Sequence, residues 1–117
     1  MSIAQQRYYH GGAPGLKMIL PSDKTGAPCT ADFGAAGVCR RDRIYITNSF
    51  EAAAVFASLH PSSRGTIYEI EPIGQLETDP DFIDDGGEIQ SWQCEAARVV
   101  RKFKLRRKDI MRLRRHA

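Results

Sequence analysis

The sequence predicts an α+β fold, and three observations carry that reading. Short stretches rich in β-branched and aromatic residues, at 8–10, 43–47 and 67–71, are each closed by Gly, Pro or Asn. One segment, 51–60, has the apolar spacing and the punctuation of a helix. Strands and helices do not alternate regularly, which disfavours a doubly wound parallel sheet.

In chain order, Tyr8 to His10 form a short strand stopped by Gly11-Gly12 and the turn residues Ala13-Pro14-Gly15. Strand side chains alternate, so Tyr8 and His10 share one face and Tyr9 takes the other. Residues 16–20 are a brief apolar segment. From there to Arg43 the chain is rich in Gly, Ala, Asp and Thr without periodicity. A loop of that length is expected to cover a ligand.

Residues 43–47 are a strand. Asn48 with Glu51 three residues on reads as an Asn-headed relative of a capping box, opening a helix that Pro61 ends. Phe50, Ala54 and Ala57, with Val55 and Leu59 beside them, are expected to face inward, and the Ala-rich surface lets the helix lie close on a sheet. A third strand at 67–71 leads to an acidic loop, 74–90, holding Glu77, Asp79, Asp81, Asp84, Asp85 and Glu88. A short strand or turn at 91–94, a final strand at 97–105 and a helix at 108–115 with Ile110 and Leu113 on one side complete the pattern.

The 117 residues suit a single domain, 1–117, and at 42% hydrophobic and 26% charged the composition is globular. No apolar run reaches the roughly 20 residues that span a bilayer. Residues 1–7 lack a signal peptide's apolar core, so the expected address is cytoplasmic, without membrane partners. Cys29, Cys39 and Cys94 are odd in number with no C-x-x-C pair, and His10, His60 and His116 lack ligand spacing. No disulfide framework or metal site is expected.

Charge is distributed unevenly. Residues 1–97 hold 7 Lys/Arg against 13 Asp/Glu, whereas 98–117 hold 10 Lys/Arg against Asp109 alone. The basic segment 98–117 reads either as a solvated strand and helix or as a surface for nucleic acid or another acidic partner. Folding back onto the acidic loop is a third reading. Phe103 is its one aromatic residue, which argues against base stacking.

Three motifs place a His, a Tyr and an acid on or just beyond three strands: Tyr8-Tyr9-His10-Gly11-Gly12, Ile44-Tyr45-Ile46-Thr47, and Ile70-Glu71-Pro72-Ile73-Gly74 running into Glu77-Thr78-Asp79-Pro80. Taken singly, a His near a strand end is usually hydrogen-bonded structure and a strand Tyr usually packs. In this order, with Ser91-Trp92-Gln93 and Arg98-Val99-Val100 following, they resemble the rifamycin ADP-ribosyltransferase family over residues 8–100. That family belongs to the His-Tyr-acid class of NAD-consuming enzymes.

The resemblance implies a split β-sheet with one main helix, to which the periodicity at 108–115 adds a short C-terminal helix. It also implies NAD as a consumed substrate and no metal. By residue, it makes His10 the group that orients the ribose, Tyr45 the ring that stacks on nicotinamide, and Asp79 the acid that stabilises the oxocarbenium. The Gly11 backbone would contact the carboxamide and Ser91 would support the pocket. Arg40, Arg41 and Arg43 are near enough in sequence to approach the phosphates, though their spacing does not demand it.

Breaking the nicotinamide–ribose bond builds positive charge on the sugar, and a carboxylate beside it lowers that barrier, as in glycosidases. The chain departs from the family at Gly12, where Thr is usual, in the shorter loop after Pro80, and in the basic C-terminus. These changes lie where an acceptor would bind, so the acceptor stays open among small molecule, protein and nucleic acid. Water as acceptor would make the chain an NAD glycohydrolase. An RNA 2′-phosphotransferase is disfavoured by Asp79, and a catalytically silent binding module on the same fold is the alternative from another class.

Overall fold

The computed structural model describes residues 6–21, 24, 42–59, 65–79 and 87–116. Among these the order is β1 Tyr8–Gly12, β2 Met18–Ile19, β3 Ile44–Thr47, α1 Phe50–Leu59, β4 Thr66–Ile73, β5 Glu77–Thr78, β6 Ser91–Cys94, β7 Ala96–Lys104 and α2 Arg107–His116. The α+β expectation holds. The strands form an antiparallel sheet in the order β2-β7-β4-β1-β3-β6-β5.

Its pairing is uneven. β1 pairs with β4 from Tyr8↔Ile70 to Gly12↔Thr66, and β3 with β6 from Ile44↔Cys94 to Thr47↔Ser91. Between β1 and β3 the register is Tyr9↔Thr47 alone. The sheet is thus two halves joined through one residue pair, the split that the family resemblance implies.

Alternation along the strands gives two cores. Ile19, Ile44, Ile46, Tyr68, Ile70, Cys94 and Ala97 are buried on one face, with Tyr8 and Trp92 against them. Ala53, Ala54, Ala57 and Ile67 are buried on the other, with Tyr9, Phe103, Leu105 and Leu113. Tyr8 meets Trp92 edge-on at 5.4 Å and Tyr9 meets Phe50 edge-on at 5.6 Å, so the two tyrosines divide between faces as read from the sequence. Each fully buried Ile contributes about 1.5–3 kcal/mol by leaving water.

α1 lies close on the sheet because its inner stripe is alanine and the strand beneath it is Gly11. A Cβ on Gly11 would stand 2.7 Å from the Ala53 carbonyl oxygen and 2.8 Å from the Ala57 nitrogen. Phe50 turns toward Tyr9 and Phe103, although part of it remains exposed.

The helix start differs from expectation. Ser49, rather than Asn48, is the cap: its Oγ accepts the Ala52 N–H at 3.1 Å. Asn48 is held in an extended clasp on the chain before β6. Its Nδ2 donates to the Glu88 carbonyl at 2.8 Å and its Oδ1 accepts the Gln90 N–H at 2.7 Å. The Asn48 N–H also donates to the Gln90 carbonyl at 3.3 Å, which prolongs the β3–β6 pairing by one residue and delays the helix.

β5 was hidden in the acidic stretch, whereas β6, β7 and α2 fall close to their expected places. α2 follows from Leu105, whose N–H donates to the Gly65 carbonyl at 2.9 Å, and seats Leu113 on the second core. In its first turn Asp109 accepts from Arg106, which holds its partly buried carboxyl below its ordinary range. β2 covers β7 at Ala97 and Arg98, leaving the outer edge of β7 beyond them without a strand among the described residues.

Most of the loop expected to cover a ligand, Cys29, Cys39, Arg40, Arg41 and residues 80–86 of the acidic loop lie outside the described residues. No described helix is long and apolar enough to cross a membrane.

Cys94 is fully buried, and desolvation pushes its thiol above the ordinary value of 9.0. It therefore stays a protonated, inert thiol at neutral pH. We expect an alkylating reagent at pH 7 to leave Cys94 unmodified in the folded protein and to label it after urea unfolding, read by peptide mass mapping. The unfolded chain ionises this thiol first, so its contribution to stability is present below the ordinary thiol value and is lost as pH rises past it.

Candidate active site

The place where β1 and β3 part is where the motif residues gather. Beyond Tyr9↔Thr47 the two strands no longer pair, and the His10 ring reaches across to β3, its Nδ1 2.7 Å from the Tyr45 carbonyl oxygen. A carbonyl only accepts, so Nδ1 carries a proton, and in the neutral form of the ring Nε2 is the acceptor. The imidazole lies along Gly12: a Cβ there would stand 3.0 Å from both Cδ2 and Nε2.

Tyr45 sits between buried Ile44 and Ile46, so alternation turns its side chain to the opposite face of β3. On that face its cross-strand partner is Gln93, and two residues on Thr47 is opposite Ser91. β5 adds Glu77 opposite Gln93, which brings the following Asp79 level with Ser91. The Asp79 N–H donates to the Ser91 carbonyl at 3.3 Å, and the Ser91 Oγ donates to Asp79 Oδ2 at 2.7 Å. Ser91 Oγ also stands 3.3 Å from the Ile46 carbonyl, so the shorter carboxylate bond takes its single proton.

Two rows thus cross the sheet side by side: Tyr9, Thr47, Ser91 and Asp79 in one, Tyr45, Gln93 and Glu77 in the other. Continuing the Tyr9↔Thr47 register by two residues brings Gly11 to the end of the second row, across the gap from Tyr45. Two residues of strand and one interstrand step separate the tether of His10 from that of Asp79, on the order of 10 Å. The structure therefore anchors His10, Tyr45, Ser91 and Asp79 on one short strand pair, with His10 on the Tyr8 face of the sheet and the Tyr45, Ser91 and Asp79 positions on the Tyr9 face. Arg43, a candidate for phosphate contact, is bonded to Glu77 at 2.9 Å instead.

A family model described as rifampin ADP-ribosyl transferase matches residues 8–103. The chain belongs to the rifampin ADP-ribosyl transferase family. The match opens on β1 and closes on β7, so it contains every residue of the two rows, while α2 falls beyond it. No curated protein sequence matches the chain.

Within the rifampin ADP-ribosyl transferase family frame, sequence reading missed Gln93. It is 5% exposed and its Oε1 has no hydrogen-bond partner among the described residues. The signal was its spacing from Ser91, two residues along one strand and so on the same face. Trp92, between them, packs on Tyr8 in the first core. Among the described residues no cluster of three or more His, Cys, Asp or Glu could hold a metal ion.

Proposed function

We propose that the protein is an NAD-dependent mono-ADP-ribosyltransferase acting through His10, Tyr45 and Asp79. The observation that supports it most is the common anchorage of the His10 ring and the Asp79 carboxylate on the β3–β6 pair, beside the opening in the sheet. An acceptor lone pair, an aromatic face and a carboxylate are the donor set that a nicotinamide riboside needs.

In this reading the His10 Nε2 accepts from a ribose hydroxyl, its direction set by the Nδ1–H bond to Tyr45. The Tyr45 ring supports the nicotinamide, the Gly11 main chain meets its carboxamide, and Ser91 holds Asp79 in place. As the glycosidic C–N bond breaks, its electron pair leaves with neutral nicotinamide. The Asp79 carboxylate offsets the positive charge on the sugar, and the acceptor's nucleophile attacks the anomeric carbon and releases its proton to solvent.

Nicotinamide release from NAD by purified protein, with and without cell lysate, tests this. Release that rises with lysate is expected. Release indifferent to lysate would point to water as the acceptor, and full activity in a Tyr45→Ala/Asp79→Ala double variant would sink the reading.

The C-terminal segment supports a phosphate-bearing partner, nucleic acid foremost. Arg101, Lys102, Lys104, Arg107 and Lys108 are exposed, and none has an ion pair with a described residue. Lys102 and Lys104 share one face of β7, two residues apart. Reversing both to Glu is expected to weaken binding to a short DNA duplex and to reduce the salt slope by about 1 per lost contact, while nicotinamide release stays unchanged. Titrations at several salt concentrations measure the first, and the release assay the second.

A further inference from the structure

Gln93 is a buried amide whose oxygen is left unmatched. It is 5% exposed, Oε1 is sealed from solvent, and nothing in the described fold donates to it. Such an atom costs stability in a folded protein and persists where a ligand supplies the missing bond. The other described atom of this kind, Glu69 Oε1, lies in the other half of the sheet, opposite Tyr9 and Arg101. Gln93 instead stands directly opposite Tyr45 and two residues from Ser91, which holds Asp79.

From this placement we infer that Gln93 is a further substrate-contacting residue, whose Oε1 accepts an N–H of a neutral carboxamide lying on Tyr45. The inference rests on the NAD reading above and adds how the leaving group is selected. The unmet atom is an acceptor, so the ligand group must donate. It is uncharged and buried, so a neutral group suits it and an anion does not. His10 and Asp79 are taken up with the ribose, which leaves the Tyr45 row for the nicotinamide. In that row one N–H of the carboxamide meets Gln93, and its second N–H and its oxygen remain for other partners. Replacing it with a carboxylate would set a negative charge against Oε1, so the site discriminates NAD from its nicotinic-acid counterpart.

The test compares wild-type protein with Gln93→Met, an apolar side chain of similar length. Affinities for nicotinamide and for ADP-ribose are measured by calorimetry, and thermal midpoints are measured without ligand. Nicotinamide affinity is expected to fall about tenfold, the equivalent of one hydrogen bond. ADP-ribose affinity should be unchanged. The midpoint should rise by a few degrees, because the variant removes an unmatched polar atom from the interior. Preference for NAD over nicotinic acid adenine dinucleotide in the release assay should narrow in parallel.

Unchanged nicotinamide affinity in a protein that still releases nicotinamide from NAD overturns the role of Gln93 and leaves the NAD reading standing. A lower midpoint with equal losses for both ligands makes Gln93 a structural residue and also overturns it. Wild-type protein that neither binds nicotinamide nor cleaves NAD overturns both.

Discussion

An Asp79→Ala protein is expected to release nicotinamide from NAD about 10²–10³ times more slowly than wild type, the usual cost of removing a group aimed at developing charge. The fold should survive. Asp79 follows a two-residue edge strand, its side chain is only partly buried, and the Ser91 Oγ it engages has the Ile46 carbonyl 3.3 Å away as another acceptor. The stability loss should therefore stay near 1 kcal/mol. Asp79→Asn separates charge from position, since an amide oxygen still accepts from Ser91 but carries no charge. If electrostatic stabilisation is the role, Asn is nearly as slow as Ala. Initial rates at saturating NAD, with circular dichroism to check folding, measure both variants. Activity within a few-fold of wild type in Asp79→Ala would remove this residue from the chemistry.

The second large effect is on stability. Gly11→Ala puts a methyl 2.7 Å from the Ala53 carbonyl oxygen and 2.8 Å from the Ala57 nitrogen, and both are backbone atoms of α1. No side chain can swing away, so the helix must rise off the sheet. That loosens the packing of Ala53, Ala54, Ala57 and Ile67 together. Such overpacking typically costs about 1–3 kcal/mol. A lower urea midpoint with an unchanged slope would show it. The neighbouring glycine behaves differently. At Gly12 the added methyl meets the His10 ring at 3.0 Å, so Gly12→Ala should shift the imidazole and act on NAD binding more than on folding. Equal melting of Gly11→Ala and wild-type protein would contradict the packing account.

Much of the fold could be read directly. The divided placement of Tyr8 and Tyr9, the β-branched run at β3, the alanine stripe of α1 and the positions of β4, β6, β7 and α2 follow from local periodicity, which survives in the folded protein. The helix cap was misplaced by one residue, because Asn48 and Ser49 are both good caps. The choice fell to Gln90, distant in sequence, which claims Asn48 for strand pairing. β5 was not legible at all. Glu77 and Thr78 carry no strand pattern, and they are held by pairing to β6 and by the bond from Arg43 to Glu77.

The candidate site divides in the same way. By itself the sequence determined which residue types were available, a His before two glycines, a Tyr within a β-branched strand and an acid before a proline, and it determined the family, because order along the chain is a one-dimensional property. Only the tertiary structure decided that β1 and β3 meet through Tyr9↔Thr47 and then part, that the His10 ring bonds the backbone of Tyr45 in the opening, and that Gln93 is buried beside Tyr45 with its acceptor unmatched. Those features depend on strand register and on which polar atoms lose water, and both are settled only when segments distant in the chain pack against one another.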